Sequence, residues 1–322
     1  MSWQVIDGSD RPGHDSGPRP NDVPRETEPD DTPIARAAAT AVQVLTGQAG
    51  TLPRPERPRL ITVANQKGGV GKTTSTVNLA AGLALHGLRV LVLDLDPQGN
   101  ASTALGVPHQ SGVPSIYEVL VDGVPLADVV HAVSDIPGLS AVPATIDLAG
   151  AEIELVSMVA RESRLRRALE AFLAGDPGFD YVLVDCPPSL GLLTLNAMVA
   201  AREVLIPIQC EYYALEGLEQ LLRTVDMIKA HLNPELHVSS ILLTMYDGRT
   251  RLAAQVADEV RAHFGAQVLP TVVPRSVRVS EAPSYGQTVL TYDPGSPGAL
   301  SYLEAARELA RQVPTESPEV QR

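Results

Sequence analysis

The glycine-rich segment that follows an apolar run near residue 60 is the feature that most constrains the fold of this chain. Residues 60–65 read LITVAN, a run typical of a buried strand, and they lead directly into QKGGVGKTT at residues 66–74. Helical periodicity follows, with apolar side chains at Val77, Ala80, Ala81 and Ala84. A strand, a glycine loop and a helix in this order let backbone N–H groups converge on a phosphate. The sequence therefore predicts a phosphate-binding loop at the carboxyl end of a strand.

The residue types in this loop point to a nucleoside triphosphate. Gly68, Gly69 and Gly71 allow the backbone to curl around an anion. Lys72 is expected to reach the β- and γ-phosphates, and the hydroxyl of Thr73 to bind Mg²⁺. We expect a nucleoside triphosphate to be bound by the whole segment, which consists of Lys67, Gly68, Gly69, Val70, Gly71, Lys72, Thr73 and Thr74. The alternative, a glycine-rich turn with a surface lysine, is disfavoured by the combination of strand, loop, helix and Gly-Lys-Thr core.

The loop departs from the common pattern G-x-x-x-x-G-K-[ST] in two ways. Gln66 stands where that pattern has its first glycine, and a second lysine, Lys67, opens the loop. Lysine is rare in this chain, which contains only Lys67, Lys72 and Lys229. Two of the three lysines therefore fall within one short loop, and both need a chemical explanation.

Three aspartates follow predicted strands. Asp94 and Asp96 close the segment LVLDLD, and Asp185 closes YVLVD. Because doubly wound sheets bind ligands at the carboxyl ends of their strands, these carboxylates are candidates for the site. Asp185 has the position of an acid that holds Mg²⁺ directly or through water, with capping of Ser189 as the alternative. Asp94 is compatible with site support or structural capping, and Asp96 with a site role or a turn before Pro97.

Short β-branched runs alternate with helical periods from residue 60 onward. This pattern is typical of a mostly parallel, doubly wound α/β sheet with helices on both faces, the fold of P-loop NTPases. The predicted strands are Leu60–Ala64, Arg89–Asp94, Tyr181–Asp185, Glu203–Ile208, Val238–Thr244 and Val268–Val272. The predicted helices are Lys72–His86, Ala151–Ala174, Leu192–Ala201, Ala214–Leu232, Leu252–Phe264 and Gly298–Val313. Ser296 is expected to cap the last helix, with Pro297 at its first position.

Composition divides the chain into three parts. Nine of the 27 prolines lie in residues 1–59, so this segment is predicted to be a disordered extension with one short helix at residues 34–45. We predict one folded domain over residues 60–313 and a flexible tail over 314–322.

Charge and cysteine content exclude several classes of protein. The formal net charge of −13 argues against a protein that coats nucleic acid through bulk positive charge, so any DNA binding has to be local. Two cysteines, Cys186 and Cys210, are too few for a disulfide scaffold. The N-terminus lacks a secretion signal, and no uncharged apolar run approaches the roughly 20 residues that span a bilayer. The chain is therefore predicted to be cytoplasmic.

The segment KGGVGKT at residues 67–73 resembles the deviant Walker A motif of the ParA/MinD group of P-loop ATPases. The likeness to chromosomal, Soj-type ParA proteins extends over residues 60–311 and is carried by seven further segments. These are VLDLDPQGNAST, PATIDLAGAEIEL, DCPPSLGLLTLNA, PIQCEYYALEGL, LLTMYDGRT, VVPRSVRVSEAPSYG and SPGALSY.

This resemblance implies a function and a set of residue roles. Lys67 is implied to reach the nucleotide of a second subunit, so that ATP binding and dimerisation become one event, and Asp96 is implied to position the attacking water. The ATP-bound dimer is implied to bind double-stranded DNA non-specifically through Arg249 and Arg278, on the nucleoid. Arg251, Arg275, Arg223 and Lys229 are possible additional contacts. A centromere-binding protein of the ParB type is the implied partner that stimulates hydrolysis.

Other functions within the group remain as alternatives. MinD-like membrane anchoring is disfavoured because acids and prolines follow Val313, in place of a basic amphipathic helix. An iron–sulfur cluster of the nitrogenase iron protein type is disfavoured because neither cysteine lies in a glycine-rich exposed turn. The remaining alternative to partition is an ATP-switched positioning or scaffold protein that recruits a protein cargo.

Overall fold

The computed structural model describes residues 50–211 and 214–312, together with Ala39. The predicted C-terminal tail and most of the predicted N-terminal extension, including nearly all of its short helix, lie outside these residues. The last ten residues of the extension, however, are described and contact the domain. Leu52 is buried, and its N–H donates a hydrogen bond to the carbonyl oxygen of His86 at 3.4 Å. Arg59 already belongs to the first strand.

Eight strands form one sheet in the order β3-β4-β2-β5-β1-β6-β7-β8. All neighbouring strands are parallel except β3 and β4. The strands are β1 (Arg59–Val63), β2 (Val90–Asp94), β3 (His131–Ala132), β4 (Leu139–Val142), β5 (Tyr181–Asp185), β6 (Glu203–Gln209), β7 (His237–Tyr246) and β8 (Val268–Pro274). The predicted mostly parallel α/β sheet is therefore confirmed, with all six predicted strands present.

Helices cover both faces of the sheet. They are α1 (Lys72–Leu85), α2 (Asn100–Ala104), α3 (Ile116–Leu120), α4 (Leu148–Val156), α5 (Arg164–Ala174), α6 (Leu192–Ala200), α7 (Ala214–His231), α8 (Arg251–Phe264), α9 (Val277–Glu281), α10 (Val289–Tyr292) and α11 (Pro297–Arg311). The apolar faces of α1, α10 and α11 form one core with the sheet, and those of α3 to α8 form the other. As predicted, Ser296 caps α11, accepting a hydrogen bond from the N–H of Ala299.

The central strands read as continuous apolar runs because each of their faces lies in a core. In β2, Leu91 and Leu93 belong to one core while Val90 and Val92 belong to the other. Since side chains alternate along a strand, burial on both faces requires apolar residues at consecutive positions. The same arrangement places the carboxyl ends of β1, β2 and β5 side by side, where the candidate site residues lie.

The single helix predicted over residues 151–174 is wrong. The structure has α4 and α5, separated by a turn in which Ala160 adopts a left-handed φ of 52°. Asn196 of α6 fixes this break, since its side chain donates to the carbonyl of Arg161 at 2.8 Å and accepts from the N–H of Leu165 at 3.2 Å. The cap of α5 is thus a tertiary contact, which local periodicity does not reveal. The short strands β3 and β4, of which β3 lies at the edge of the sheet, were also not predicted, and neither were the short helices α2, α3, α9 and α10.

A buried ion pair ties the start of β1 to its neighbour β6. Nε and Nη2 of Arg59 donate to the two carboxylate oxygens of Glu203 at 2.8 and 2.6 Å, and Nη1 donates to the carbonyl of Leu309 at 2.7 Å. Both side chains of the pair are at most 4% exposed. The pair therefore joins β1, β6 and α11 at the amino edge of the sheet.

Arg59→Ala is expected to lower the free energy of unfolding by about 3–5 kcal/mol, because the carboxylate of Glu203 would remain buried without its partner. Urea unfolding followed by circular dichroism measures this. Arg54→Ala is the control, since Arg54 is 64% exposed and lies 4.0 Å from its ion-pair partner Asp180. Its expected cost is below about 1 kcal/mol. Equal small losses in the two variants would contradict a structural role for the buried pair.

Candidate functional site

The loop predicted to bind phosphate joins β1 to α1 and contains two glycines in left-handed conformations. Gly69 has a φ of 75°, and Gly71, the residue before α1, has a φ of 86°. No side chain of the described residues caps α1, so the N–H groups of its first turn remain available as hydrogen-bond donors. A Cβ atom placed on Gly68 or Gly69 would contact nothing within 4 Å. The loop thus offers both the donors and the room that a phosphate needs.

Two other residues of the predicted segment, Val70 and Thr74, make contacts that fix the loop. Val70 is buried, and its carbonyl oxygen accepts a hydrogen bond from the hydroxyl of Thr244 on β7 at 2.8 Å. Thr73 and Thr74 lie half-buried in the first turn of α1, and the carbonyl of Thr74 accepts from the side chain of Asn78 at 2.8 Å. Thr73 lies in the first turn of α1, where its side chain is close enough to Asp185 to lower the pKa of that carboxyl.

Lys72 lies within the loop. Its ammonium donates to the carbonyl oxygen of Lys67 at 3.2 Å, and the residue is only 7% exposed. Burial lowers the pKa of Lys72, while the negative charges of Asp185 and Asp96 oppose that shift. A cation held this way, with carboxylates nearby, is available to a phosphate that enters the loop.

Lys67 points away from the loop centre. Its ammonium pairs with Glu211 at 2.8 Å, and the two side chains are 38% and 46% exposed. The backbone N–H of Lys67 donates to the side chain of Asn65 at 3.0 Å, and that side chain donates to the carbonyl of Pro207 on β6 at 2.8 Å. The opening of the loop is therefore tied to the end of β6 by two sets of contacts. Glu211 was not predicted, because its proximity to Lys67 follows from the strand order, in which β6 lies next to β1.

Asp185 ends β5 directly beneath α1. One of its carboxylate oxygens accepts from the hydroxyl of Thr76 at 3.1 Å, whereas Oδ2 is buried and has no hydrogen-bond partner among the described residues. Burial and the neighbouring charge of Asp94 raise the pKa of Asp185 well above its usual value. Among the described residues, no hydrogen bond joins Asp185 to Ser189, so the capping alternative has no support. A buried oxygen ligand without a partner fits a hard divalent cation such as Mg²⁺.

Asp94 has a structural role at the end of β2. Its Oδ2 accepts from the N–H and the hydroxyl of Ser102 at 2.8 and 2.7 Å, and its Oδ1 accepts from the N–H of Asp96 at 3.1 Å. These bonds hold α2 against the strand end. Burial raises the pKa of Asp94 to about 6. Of the two interpretations left open by the sequence, the contacts favour structural capping.

Asp96 lies in the loop after β2 and is 8% exposed. Its Oδ1 accepts from the N–H of Gln98 at 3.0 Å, which is the turn contact expected of an aspartate before Pro97. The carboxylate is also close enough to Lys72 to affect its pKa. The turn holds Oδ1 of Asp96 in place. The side chain of Asp96 lies at the carboxyl edge of the sheet, as the candidate phosphate-binding loop does. The two sequence interpretations are therefore compatible with each other.

Arg249 lies in the loop after β7, whereas Arg278, which was predicted to lie in the loop after β8, belongs to the short helix α9 that follows that strand. Tyr246 at the end of β7 is paired with Pro274 at the end of β8, and the N–H of Arg275 donates to the carbonyl of Tyr246 at 3.2 Å. The side chains of Arg249 and Arg278 are 89% and 57% exposed. Both loops thus emerge at the carboxyl edge of the sheet.

The four additional basic candidates are not equally close to these loops. Arg275 follows β8 directly, and Arg251 is the first residue of α8 and is exposed. Lys229 lies in the last turn of α7, which leads to the amino end of β7, so it is at the opposite edge of the sheet. Arg223 lies along α7 and pairs with Glu219 at 3.5 Å. The structure therefore groups Arg251 and Arg275, but not Lys229, with the two main candidates.

Comparison with known proteins places these features in a family. A family model described as an AAA domain matches residues 58–238. Soj, the sporulation initiation inhibitor protein of Bacillus subtilis, is 53% identical over 252 residues, which cover 78% of this chain and 98% of Soj. The chain belongs to the ParA/Soj family. The chromosome partitioning protein ParA of Myxococcus xanthus is 52% identical over 260 residues, which cover 81% of this chain and 90% of ParA.

Solved structures agree with this assignment of the fold. A cobyrinic acid a,c-diamide synthase from Mycobacterium smegmatis, with bound ADP and magnesium, is 38% identical, has a TM-score of 0.68, and covers 81% of this chain and 100% of that one. The septum site-determining protein MinD from Pyrococcus horikoshii, complexed with Mg-ADP, is 25% identical, has a TM-score of 0.62, and covers 79% of this chain and 96% of that one. The resemblance to the ParA/MinD group and the P-loop fold are thus confirmed. In the described part of this ParA/Soj family member, no helix has the length and apolar character needed to span a membrane.

Proposed function

We propose that this ParA/Soj family member is an ATP-dependent DNA-partitioning protein whose ATP-bound form is a dimer. One observation carries the proposal: the loop holds two lysines with different surroundings, one buried in the loop and one exposed beside it. A single nucleotide site needs only the buried lysine. The relative named as a chromosome partitioning protein, at 52% identity, supports DNA partition as the process that this switch serves.

The nucleotide site is assigned to the loop and to the ends of β2 and β5. In this proposal the N–H groups of residues 68–74 and the ammonium of Lys72 bind the phosphates of ATP. Thr73 and Asp185 would hold Mg²⁺, which supplies positive charge next to the phosphate oxygens. The partnerless Oδ2 of Asp185 supports this choice of ligand. ATP and Mg²⁺ are therefore the proposed ligands of the chain.

Lys67 is assigned to the nucleotide of a second subunit. To act there, its ammonium has to leave Glu211, and the pair is exposed enough for this to cost little, because surface ion pairs contribute at most about 1 kcal/mol. A phosphate oxygen then replaces the carboxylate as the partner of the lysine. ATP binding and dimerisation become coupled, since each subunit completes the other's site. Hydrolysis removes that partner, and the subunits separate.

Hydrolysis is assigned to Asp96 and the two lysines. Asp96 would orient the attacking water, and Lys72 with the partner's lysine would stabilise charge that develops on the phosphates. A ParB-type centromere-binding protein is the proposed stimulator. A basic segment of such a protein would be attracted to a chain with a formal net charge of −13.

The DNA site is assigned to Arg249 and Arg278, with Arg251 and Arg275 nearby. Their contacts would be to phosphates, because the candidates are guanidinium groups at a sheet edge, Arg249 in a loop and Arg278 in the five-residue helix α9. Two copies in a dimer double the number of contacts. Such a dimer is expected to be cytoplasmic and to associate with the nucleoid.

The experiment that tests the proposal is binding of random-sequence DNA with ATP, with ADP and without nucleotide. Partition predicts tight binding with ATP only. ATP-dependent dimerisation without DNA binding would overturn it and favour the positioning or scaffold function, in which the dimer recruits a protein cargo.

Arg249→Ala and Arg278→Ala are each expected to weaken DNA binding at least about tenfold, because each removes a charge-assisted phosphate contact from both subunits. Fluorescence anisotropy over a range of salt concentrations should show a slope shallower by about one unit per lost phosphate contact. ATPase activity without DNA should be unchanged. Arg202→Ala, at the opposite edge of the sheet and paired with Glu235, is the control. Unchanged DNA affinity in both loop variants would exclude this DNA site.

A further inference from the structure

Arg249 is already paired with a carboxylate of its own loop. Its Nε and Nη2 donate to Oδ1 and Oδ2 of Asp247, both at 2.8 Å, in a bidentate arrangement. Asp247 is 28% exposed, less than the arginine that it binds. The hydrogen bonds from Arg249 lower the pKa of Asp247 to about 2, so the carboxylate stays charged throughout the physiological pH range.

Arg278 has two carboxylate partners. Its Nη1 donates to Glu281, one turn further along α9, at 3.3 Å, and its Nε lies 3.3 Å from Asp293 after α10. The phenol oxygen of Tyr292 contacts the guanidinium of Arg278, and its hydroxyl donates to the carboxylate of Glu281 at 3.4 Å. Neither of the two arginines proposed for DNA contact therefore presents a free positive charge.

We propose that Asp247, Glu281 and Asp293 mask the DNA-contacting arginines and thereby set the threshold for DNA binding. The masking rests on the function proposed above, because it presupposes that these arginines contact phosphate. In this proposal the three acidic residues determine how strongly each subunit binds DNA.

The physical reason is an exchange of partners. Carboxylate and phosphate both bind guanidinium through parallel N–H···O bonds, so a phosphate gains little by replacing a carboxylate that is already bidentate. The displaced carboxylate, moreover, stays in the same loop and repels the phosphate. A single subunit then gains too little to bind DNA, whereas two subunits on one duplex add their small gains. Dependence of DNA binding on the dimer follows from this arrangement.

Asp247→Asn is the substitution that tests the mask without disturbing the loop. Oδ1 of Asp247 accepts a hydrogen bond from the backbone N–H of Arg249 at 3.1 Å, and the amide oxygen of asparagine can accept the same bond. Only the negative charge is lost. The control is Asp135→Asn, which changes the net charge equally at an exposed position between β3 and β4, at the far edge of the sheet.

With ATP present, Asp247→Asn is expected to bind random-sequence DNA about two- to fivefold more tightly than the unmodified chain, the range expected for releasing one exposed ion pair. Asp247→Asn combined with Glu281→Gln should bind more tightly still. Asp135→Asn should change the affinity by less than half as much as Asp247→Asn. An equal effect of the two asparagine variants would overturn the mask in favour of general acidity. Weaker binding by Asp247→Asn would also overturn it, since the carboxylate would then orient Arg249 for DNA.

A second measurement separates the mask from the DNA site itself. In an Arg249→Ala background, Asp247→Asn should tighten DNA binding by less than it does when Arg249 is present, because no arginine is released and only the repulsion between carboxylate and phosphate is relieved. Undiminished tightening in that background would overturn the mask while leaving DNA binding intact. If the unmodified chain binds ATP but neither it nor Asp247→Asn binds DNA, the proposed function fails and the mask fails with it.

Discussion

Lys72→Ala is expected to abolish ATP binding at millimolar nucleotide. The ammonium of Lys72 is buried in the loop, 3.2 Å from the carbonyl of Lys67, and the other lysine of the loop faces Glu211. No second cation of the described loop can take its place at the phosphates. Loss of charge-assisted bonds to two phosphates corresponds to a weakening of about a hundredfold or more. Titration calorimetry with ATP and Mg²⁺ measures this directly.

Two controls make this result specific. Lys229→Ala removes a lysine at the opposite edge of the sheet and should bind ATP normally. Thermal unfolding of Lys72→Ala without nucleotide should match that of the unmodified chain, because α1 keeps its buried face and its alanine-rich sequence. If Lys72→Ala binds ATP with unchanged affinity and is folded, the loop is not the nucleotide site.

The local signals of the loop were sufficient to predict the backbone structure of the candidate phosphate-binding loop. Glycines at Gly69 and Gly71 mark the left-handed turns that the structure contains, and the strand and helix on either side begin and end within one residue of their predicted bounds. Asp185 could be placed because a fully apolar run ends at an acid. In each case the deciding information lies within a few residues of the site.

Features that depend on neighbours distant in the sequence could not be predicted in this way. The pairing of Lys67 with Glu211 spans 144 positions and follows from the packing of β6 against β1. The end of the predicted helix 151–174 depends on Asn196, which belongs to another helix. Asp247 is different, because it lies two residues before Arg249, and the segment YDGRT contains both charges. Opposite charges flanking a turn glycine could have indicated that pair.

The ion pairs of Arg249 and Arg278 show which acidic residues of the chain lie next to the proposed DNA site. A formal net charge of −13 describes the whole chain, whereas the three carboxylates proposed to mask the DNA site lie within 3.3 Å of Arg249 or Arg278. Acidic residues elsewhere affect DNA only through screened interactions, which weaken over about 10 Å at 0.1 M salt. Local pairing, more than net charge, therefore determines the strength of the proposed DNA site.

Asp96→Ala is expected to slow ATP turnover by about a hundredfold or more while leaving ATP binding intact, since positioned proton-transfer groups contribute factors of this size. The variant should accumulate as an ATP-bound dimer that stays on DNA. Phosphate release and the lifetime of the DNA complex measure the two effects. Asp122→Ala, at an exposed turn far from the loop, is the matched control.

The variant Asp96→Asn distinguishes a structural role of Asp96 in the turn before Pro97 from a role in ATP hydrolysis. Oδ1 of Asp96 accepts from the N–H of Gln98 at 3.0 Å, and asparagine can keep that bond while losing the charge. If Asp96 orients water through its carboxylate, Asp96→Asn should be nearly as slow as Asp96→Ala. If the residue serves only the turn before Pro97, Asp96→Asn should turn over ATP normally and Asp96→Ala should lose thermal stability. Normal turnover in the asparagine variant would remove Asp96 from the hydrolytic step and leave the two lysines as its only assigned residues.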